Sequence, residues 1–339
     1  MNPVNTAPRV TMADVAHAAG VSVATVSKVV NNKDGISPAR TEHVKKVIAD
    51  MGYEASLGAQ SLRSRTTGVL GILVAEFEPF STELLKGASA ANKATDYELL
   101  AYSGRNGAAQ EDGWERRHLS RLSGTLIDGA VIVTPSGTET KFAVPVVAID
   151  PHVGTSSLPT VRCNSYEGAV TATNYLIELG HTKIGFLGGR SGLQSSTDRM
   201  AGYTAAMQAA GLLIDDTYIG EGGYLPEISQ GAARAMLARK DRPTAIFAAN
   251  DLSAIEVIRV AEELGLSVPR DLSVIGFDNV PEAALCHIPL TTMAQPLAEM
   301  GQIALDMLIK LVAGDEDVET HVMLPTQLVV RESCAPPAV

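Results

Sequence analysis

Val10-Thr11-Met12-Ala13-Asp14-Val15-Ala16-His17-Ala18-Ala19-Gly20-Val21-Ser22-Val23-Ala24-Thr25-Val26-Ser27-Lys28-Val29-Val30-Asn31 is the stretch on which the reading of this 339-residue chain turns. Its opening carries several helix-start signals at once. Thr11 can accept from the backbone of the first turn, Asp14 complements the positive helix end, and Val10 can staple onto Val15. The helix stops after about two turns at Ala19-Gly20-Val21, where Gly20 supplies the backbone freedom of a tight turn. A second helix starts at Ser22, with Val21 placed against Val26, and runs to Asn31-Asn32. Two short helices joined by a three-residue turn containing glycine make a helix-turn-helix. Val26, Val29 and Val30 share the face that must be core. Val23, Ala24, Thr25, Ser27 and Lys28 lie on the other faces, and the N-terminal part of such a helix is what usually meets base edges. Beyond a loop, Ser37-Pro38 opens a third helix with Val44, Val47, Ile48 and Met51 at helical spacing, and Gly52 ends it. A purely structural three-helix bundle would have the same pattern, so geometry alone leaves both readings open.

Working outward, the length fits one small and one large domain, or three sub-domains. The composition, 45% hydrophobic with 4% aromatic residues, is that of an Ala/Val/Leu-rich α/β protein. No apolar run is long enough for a membrane span, and the N-terminus lacks a secretory pattern, so a cytosolic protein is expected. Cys163, Cys286 and Cys334 lie far apart without metal-ligand spacing and are read as reduced packing residues. The net charge of −11 is uneven: residues 1–65 hold eight Lys/Arg against five acidic residues, +3, which leaves −14 for the remainder. Phosphate binding needs a positive footprint, so the two parts face different partners.

From Gly68 onward, short Val/Ile/Leu runs alternate with amphipathic stretches. The segments 69–74, 98–102, 129–133, 144–149, 183–187, 244–248 and 272–276 read as strands buried on both faces. Residues 81–95, 165–179, 196–210, 227–238, 250–264 and 296–312 read as the helices between them, several opened by Ser or Asn caps. This is repeated βα organisation in doubly wound form.

The 10–31 stretch closely resembles the signature of the lactose-repressor (LacI/GalR) family over about twenty positions. The resemblance implies that Val23, Ala24 and Lys28 face base edges, while Thr11, Ser22, Thr25, Ser27 and Asn31 contact or orient on phosphates. Lys28 replaces the arginine commoner at that position and cannot make the bidentate fork to guanine. In the segment 54–67 the resemblance implies a hinge that folds on DNA, with Ala59 packing against the same segment of a second subunit and Leu62 wedging into the central minor-groove step. A plain solvated linker is the alternative for that segment taken by itself. Ala55 and Gly58 replace a proline and a β-branched residue common in relatives.

Leu179-Gly180-His181-Thr182-Lys183-Ile184-Gly185-Phe186, Asp198-Arg199-Met200-Ala201-Gly202-Tyr203, Ala249-Asn250-Asp251 and Val274-Ile275-Gly276-Phe277-Asp278-Asn279 resemble the sensor halves of the same family and periplasmic sugar-binding proteins. The expected architecture is a small all-α helix-turn-helix head (1–55), a hinge (56–67) and an α/β periplasmic-binding-protein-like sensor (68–334) of two doubly wound sub-domains, with a tail at 335–339. The resemblance implies an N-sub-domain of 68–161 completed by 295–323 and a C-sub-domain of 162–290 completed by 324–334.

Ligands of open sheets bind at the carboxyl ends of strands. Those ends carry Phe80, Asp150, Asn164, Arg199, Asn250, Asp251 and Asp278, the expected effector-binding residues. Their mixed donors and acceptors suit a polyhydroxylated ligand, with Phe80 as a flat surface. The alternative is that Asp150, Asp251 and Asp278 cap helices or bind across the interface, and for Asp251, next to a helix start, the two readings stand level. Leu187-Gly188-Gly189-Arg190-Ser191-Gly192 lacks the Lys-Ser/Thr pair of a phosphate loop and is read as a sensor loop. His181 is read as a capping or packing residue, and Trp114, on a helix with Arg116, Arg117 and Arg121, as covering the sub-domain surface. No nucleophile elbow, zinc-helix motif or Cys/His pairing is present, so neither catalysis, metal nor cofactor is expected.

The function expected is a homodimeric repressor that reads a palindromic double-stranded operator and responds to a sugar or nucleoside, by induction or co-repression alike. The alternative is a cytosolic sugar- or nucleoside-binding protein or enzyme whose N-terminal domain docks to a partner.

Overall fold

The computed structural model describes residues 10–30, 33–53, 66–104, 114–123, 126–135, 142–152 and 157–338. Asn31, Ala59 and Leu62, and with them nearly all of the expected hinge, lie outside these residues. The chain divides into two units, Met1–Thr67 and Gly68–Val339.

In the first unit, α1 (Met12–Ala18), α2 (Val23–Val30) and α3 (Pro38–Met51) close on a small core of Val15, Ala16, Ala19, Val26, Val29 and Val44. The caps are local. Thr11 Oγ1 accepts from the Asp14 amide (3.3 Å) while the Asp14 carboxylate accepts from the Thr11 amide (2.8 Å), a reciprocal capping box. These bonds, with the Thr11 hydroxyl as the largest contributor, hold the Asp14 carboxyl below its ordinary range. Gly20 turns the chain at φ +61°, and Ser22 Oγ then accepts from the Thr25 amide (3.2 Å) to open α2. Gly52 ends α3 in the left-handed conformation. Ser37 precedes Pro38 as expected, but its side chain makes no capping bond.

The second unit is built on two six-stranded sheets. The first holds β1 (Val69–Val74), β2 (Glu98–Ser103), β3 (Gly129–Val133), β4 (Val146–Ile149), β5 (Thr160–Cys163) and β11 (His321–Leu324) in the order β11-β5-β4-β3-β1-β2, all parallel. The second holds β6 (Ile184–Gly188), β7 (Ile219–Glu221), β8 (Ala245–Ala248), β9 (Ser273–Asp278), β10 (Thr291–Ala294) and β12 (Gln327–Val329) in the order β12-β10-β9-β8-β6-β7, with only β12 antiparallel to its neighbour.

Helices cover both faces. On the first sheet, α4 (Pro79–Asn92) and α11 (Leu297–Val312) pack on one side and α5 (Trp114–Leu122) on the other. On the second, α6 (Ser165–Glu178) and α7 (Gln194–Ala209) lie opposite α8 (Pro226–Leu237) and α9 (Asp251–Glu263), with the short α10 (Pro281–Leu285) following β9. In β8, Ala245 and Phe247 enter one core while Ile246 and Ala248 enter the other, which is why a continuous apolar run was legible as a strand.

The chain passes between the sheets three times, after β5, β10 and β11. The expected sub-domain borders move slightly as a result. Arg162 and Cys163 pair with Met323 and Leu324 in the first sheet, so the crossings follow Cys163 and Leu324 rather than residues 161 and 323. Two further expectations are corrected. Strand β2, read as buried on both faces, is the sheet's edge and leaves Glu98 and Ala101 exposed. Trp114, read as a surface cover, is 1% exposed and packs with Leu73, Leu119 and Ile127, because α5 turns its basic side outward and its indole inward.

Candidate functional site

On the head, the described residues expected at DNA are gathered at the start of α2, with Lys28 in its last turn and Thr11 at the cap of α1. Ser22, Val23, Ala24 and Lys28 are exposed, Thr25 and Ser27 half-buried, and Thr11 is exposed at the start of α1. Val23 is the telling residue: a valine left 46% exposed on a helix whose Val26 and Val29 are buried has no packing reason to be there. Placed beside Ala24, it leaves the helix able to approach a flat partner closely.

In the second unit, the carboxyl ends of strands from both sheets converge on a cavity of about 300 Å³. Phe80, Asp150, Arg199, Asn250 and Asp278 line it, from the start of α4, the end of β4, α7, the cap of α9 and the end of β9 respectively. Among the described residues, five non-glycine residues have positive φ, and four of them, Thr134, Asp150, Tyr224 and Asp278, are in this lining. Backbone strain concentrated at strand ends around one cavity is a mark of a functional site.

Arg199 anchors the floor. It is 3% exposed, donates from Nη1 to the Ala249 carbonyl (2.5 Å), stands 3.7 Å from the Asp278 carboxylate and lies flat over Phe277, 3.8 Å from the ring centroid. Asp278 also accepts from Gln295 Nε2 (2.6 Å). Burial nonetheless pushes the Asp278 carboxyl well up, against the pull of the Arg199 guanidinium. Asp150 is held the same way: burial raises its pKa, Arg199 opposes, and Ser195 Oγ donates to Oδ2 at 2.8 Å across the two halves. Glu78, the N-cap of α4, accepts from the Phe80 amide (2.6 Å), the Ser81 amide (2.9 Å) and the Ser81 hydroxyl, and burial raises its pKa too.

Asn164 and Asp251, expected at the ligand, are outside the lining. Their oxygens are occupied within the fold. Asn164 Oδ1 caps α6 through the Glu167 amide (3.1 Å). Asp251, fully buried, accepts from the Val280 amide (2.9 Å) and the Thr292 hydroxyl (2.5 Å), and burial raises its pKa to about 7. It fits only because residue 276 is glycine, where a Cβ would stand 2.3 Å from Asp251 Oδ1.

Arg190 and Tyr224 also line the cavity and were not among the expected effector contacts, although Arg190 is in the segment 187–192 read as a sensor loop. Arg190 donates from Nη2 to His152 Nε2 (2.8 Å), another contact between the halves. Tyr224 presents its ring and bonds through its hydroxyl with Ser195 (3.2 Å), while Asn250 Nδ2 donates to its carbonyl. The sequence signal available for them was weak: a glycine pair before Arg190, and Gly222-Gly223 before Tyr224, with no periodicity around either. His181 is far from this cavity; its ring bonds Thr244, Ser273 and the Ala335 carbonyl, so it is the packing residue expected. Among the described residues no cluster could hold a metal and no helix is long and apolar enough to cross a membrane.

A helix-turn-helix head followed by a two-sheet α/β unit of the periplasmic-binding-protein kind, with a cavity at its strand ends, defines the class of one-chain transcriptional regulators. Residues 11–56 match the bacterial regulatory proteins of the lacI family, and residues 173–334 match the periplasmic binding protein-like domain. The HTH-type transcriptional repressor PurR of Photobacterium profundum is 32% identical over 95% of this chain and 98% of its own length, and catabolite control protein A of Priestia megaterium 31% identical over 96% and 99%. Among solved structures, the lac repressor dimer bound to operator and the anti-inducer ONPF is 25% identical with a TM-score of 0.78, covering 97% of this chain and all of that one. A complex of the transcriptional regulator CelR with cellobiose is 29% identical with a TM-score of 0.69, covering 96% and 100%. The chain belongs to the lacI family of bacterial regulatory proteins.

Proposed function

We propose that this protein is a cytosolic, non-catalytic transcriptional repressor that binds a two-fold symmetric operator as a homodimer and releases or engages it according to a small polyhydroxylated effector. The head, residues 1–55, reads the operator. Val23, Ala24 and Lys28 face bases; Thr11, Ser22, Thr25, Ser27 and Asn31 meet phosphates; and Ala59 and Leu62 act in the hinge at 56–67. The effector enters the cavity of the second unit and is held by Phe80, Asp150, Arg199, Asn250 and Asp278 together with Arg190 and Tyr224. Relatives that carry operator, anti-inducer or cellobiose support this reading.

The observation that carries it is the pairing of two features in one chain: an exposed, small-residue helix surface on a capped head, and a cavity bridged between sub-domains by Asp150–Ser195 and His152–Arg190. A ligand that differs in affinity for two arrangements of those halves shifts their equilibrium, and operator affinity follows. Selection from a random-sequence duplex pool tests the reading. A palindromic site is expected to be enriched; enrichment of none, with and without sugars and nucleosides present, would overturn it.

A further inference from the structure

The walls of the cavity are unbalanced in formal charge. Five carboxylates, those of Glu76, Glu78, Asp150, Glu221 and Asp278, face two guanidiniums, Arg190 and Arg199. Both guanidiniums already serve the protein: Arg199 through Ala249, Asp278 and the Phe277 ring, Arg190 through His152 and the Thr134 carbonyl. Asn250 Nδ2 bonds the Tyr224 carbonyl, and Asn250 Oδ1 accepts from the Ser253 amide. The carboxylates are engaged as well, Glu78 with the Phe80 and Ser81 amides, Asp150 with Ser195 and Asp278 with Gln295, so what faces an incoming molecule is set apart by its formal charge, five acids against two guanidiniums.

An ammonium brings three donors and no acceptor, a hydroxyl brings both, and a phosphate brings acceptors only. Burial raises the Glu78, Asp150 and Asp278 carboxyls, with the Arg199 guanidinium opposing it at Asp150 and Asp278 and Glu78 adding a smaller push at Asp278. A cation placed among them would be drawn by the excess of acids in the lining. Phe80, Leu193, Leu225 and Ile228 add apolar surface suited to the carbon face of a ring.

We propose that the cavity selects a polyol bearing a protonated nitrogen, of the amino-sugar class, over its neutral parent, and rejects the phosphorylated counterpart. The proposal rests on the cavity being the effector site and goes beyond it in naming the ligand's charge.

Calorimetric titration of the full chain with D-glucosamine, D-glucose and D-glucose 6-phosphate, and with the corresponding galactose and mannose sets, tests it. In at least one set the amine should bind most tightly, and the phosphate weakest by about a hundredfold, as like charges forced together in a low-dielectric site require. A phosphate within about tenfold of its neutral parent would overturn the proposal, as would an amine no tighter than its parent in every set, or no amine binding at all. The double variant Glu76→Gln, Glu221→Gln removes two exposed rim charges without touching the fold. It should narrow the ratio of amine to phosphate affinity, and an unchanged ratio would likewise count against charge selection. Failure here is separable from failure of the regulator reading, because operator selection is run with and without added sugars and nucleosides and reads enrichment of DNA, not the order of ligand affinities.

Discussion

At the scale of single residues, the two units give side chains different work. Lys28 and Lys45 are both exposed lysines of the head, yet only Lys28 is on the surface assigned to base edges. Lys28→Ala is expected to change the preferred base at one position of the selected half-site, whereas Lys45→Ala should weaken all sequences about equally. Selection followed by binding assays reads both, and an unaltered motif for Lys28→Ala would remove it from the base-reading set. In the second unit, Asp251 is a support. Asp251→Ala leaves the Val280 amide and the Thr292 hydroxyl buried without their acceptor, a loss on the order of 3 kcal/mol in urea unfolding. Its titration has a sign as well. With a folded pKa raised from 3.8 to about 7, its contribution to stability is complete below the unfolded value and is lost as pH rises through about 7. Asp251→Asn should therefore lose less stability than the wild type between those limits. His181 acts in the opposite sense. Burial lowers its pKa from 6.5, so its contribution is present above 6.5 and is lost as pH falls below it.

At the scale of elements, glycines separate turns from packing. Gly301 on α11 meets α4 so closely that a Cβ would stand 2.0 Å from the Leu84 carbonyl oxygen. Gly301→Ala must push two helices apart and is expected to cost about 3 kcal/mol, read as a lowered urea midpoint. At Gly20 a Cβ would meet nothing within 4 Å, and only the positive φ is unfavourable. Gly20→Ala should cost only about 1 kcal/mol, measurable on the head's thermal transition. The longer elements were legible because each carries its own period and caps: α1 through Thr11 and Asp14, α9 through Asn250, β1 and β9 through unbroken apolar runs. The strands that escaped, β5, β7, β10, β11 and β12, are three or four residues long, and each carries at least one polar residue. Such segments become strands only because a neighbour accepts them, as β11 does by pairing with β5 about 160 residues earlier.

At the scale of the whole molecule, the proposed homodimer makes a geometric demand. Footprinting should show a two-fold symmetric protected site with half-sites about one helical turn of DNA or a multiple apart. Protection of a single asymmetric half-site would argue for a monomeric reader.

The amino-acid sequence by itself determined the helix-turn-helix head and the alternating βα order of the sensor, because those depend on interactions between residues a few positions apart: caps, staples and periodicity. It also marked Phe80, Asp150, Asn250 and Asp278 through their places at strand and helix ends, and Arg199, which lies within α7, through its motif. Only the tertiary structure decided which polar groups meet. Ser195 reaches Asp150 from 45 residues away, Tyr224 and Arg190 turn into the cavity, and Asn164 and Asp251 turn aside to hold backbone. Sheet order and the three crossings between sheets bring those ends together, and neither is encoded in any local repeat.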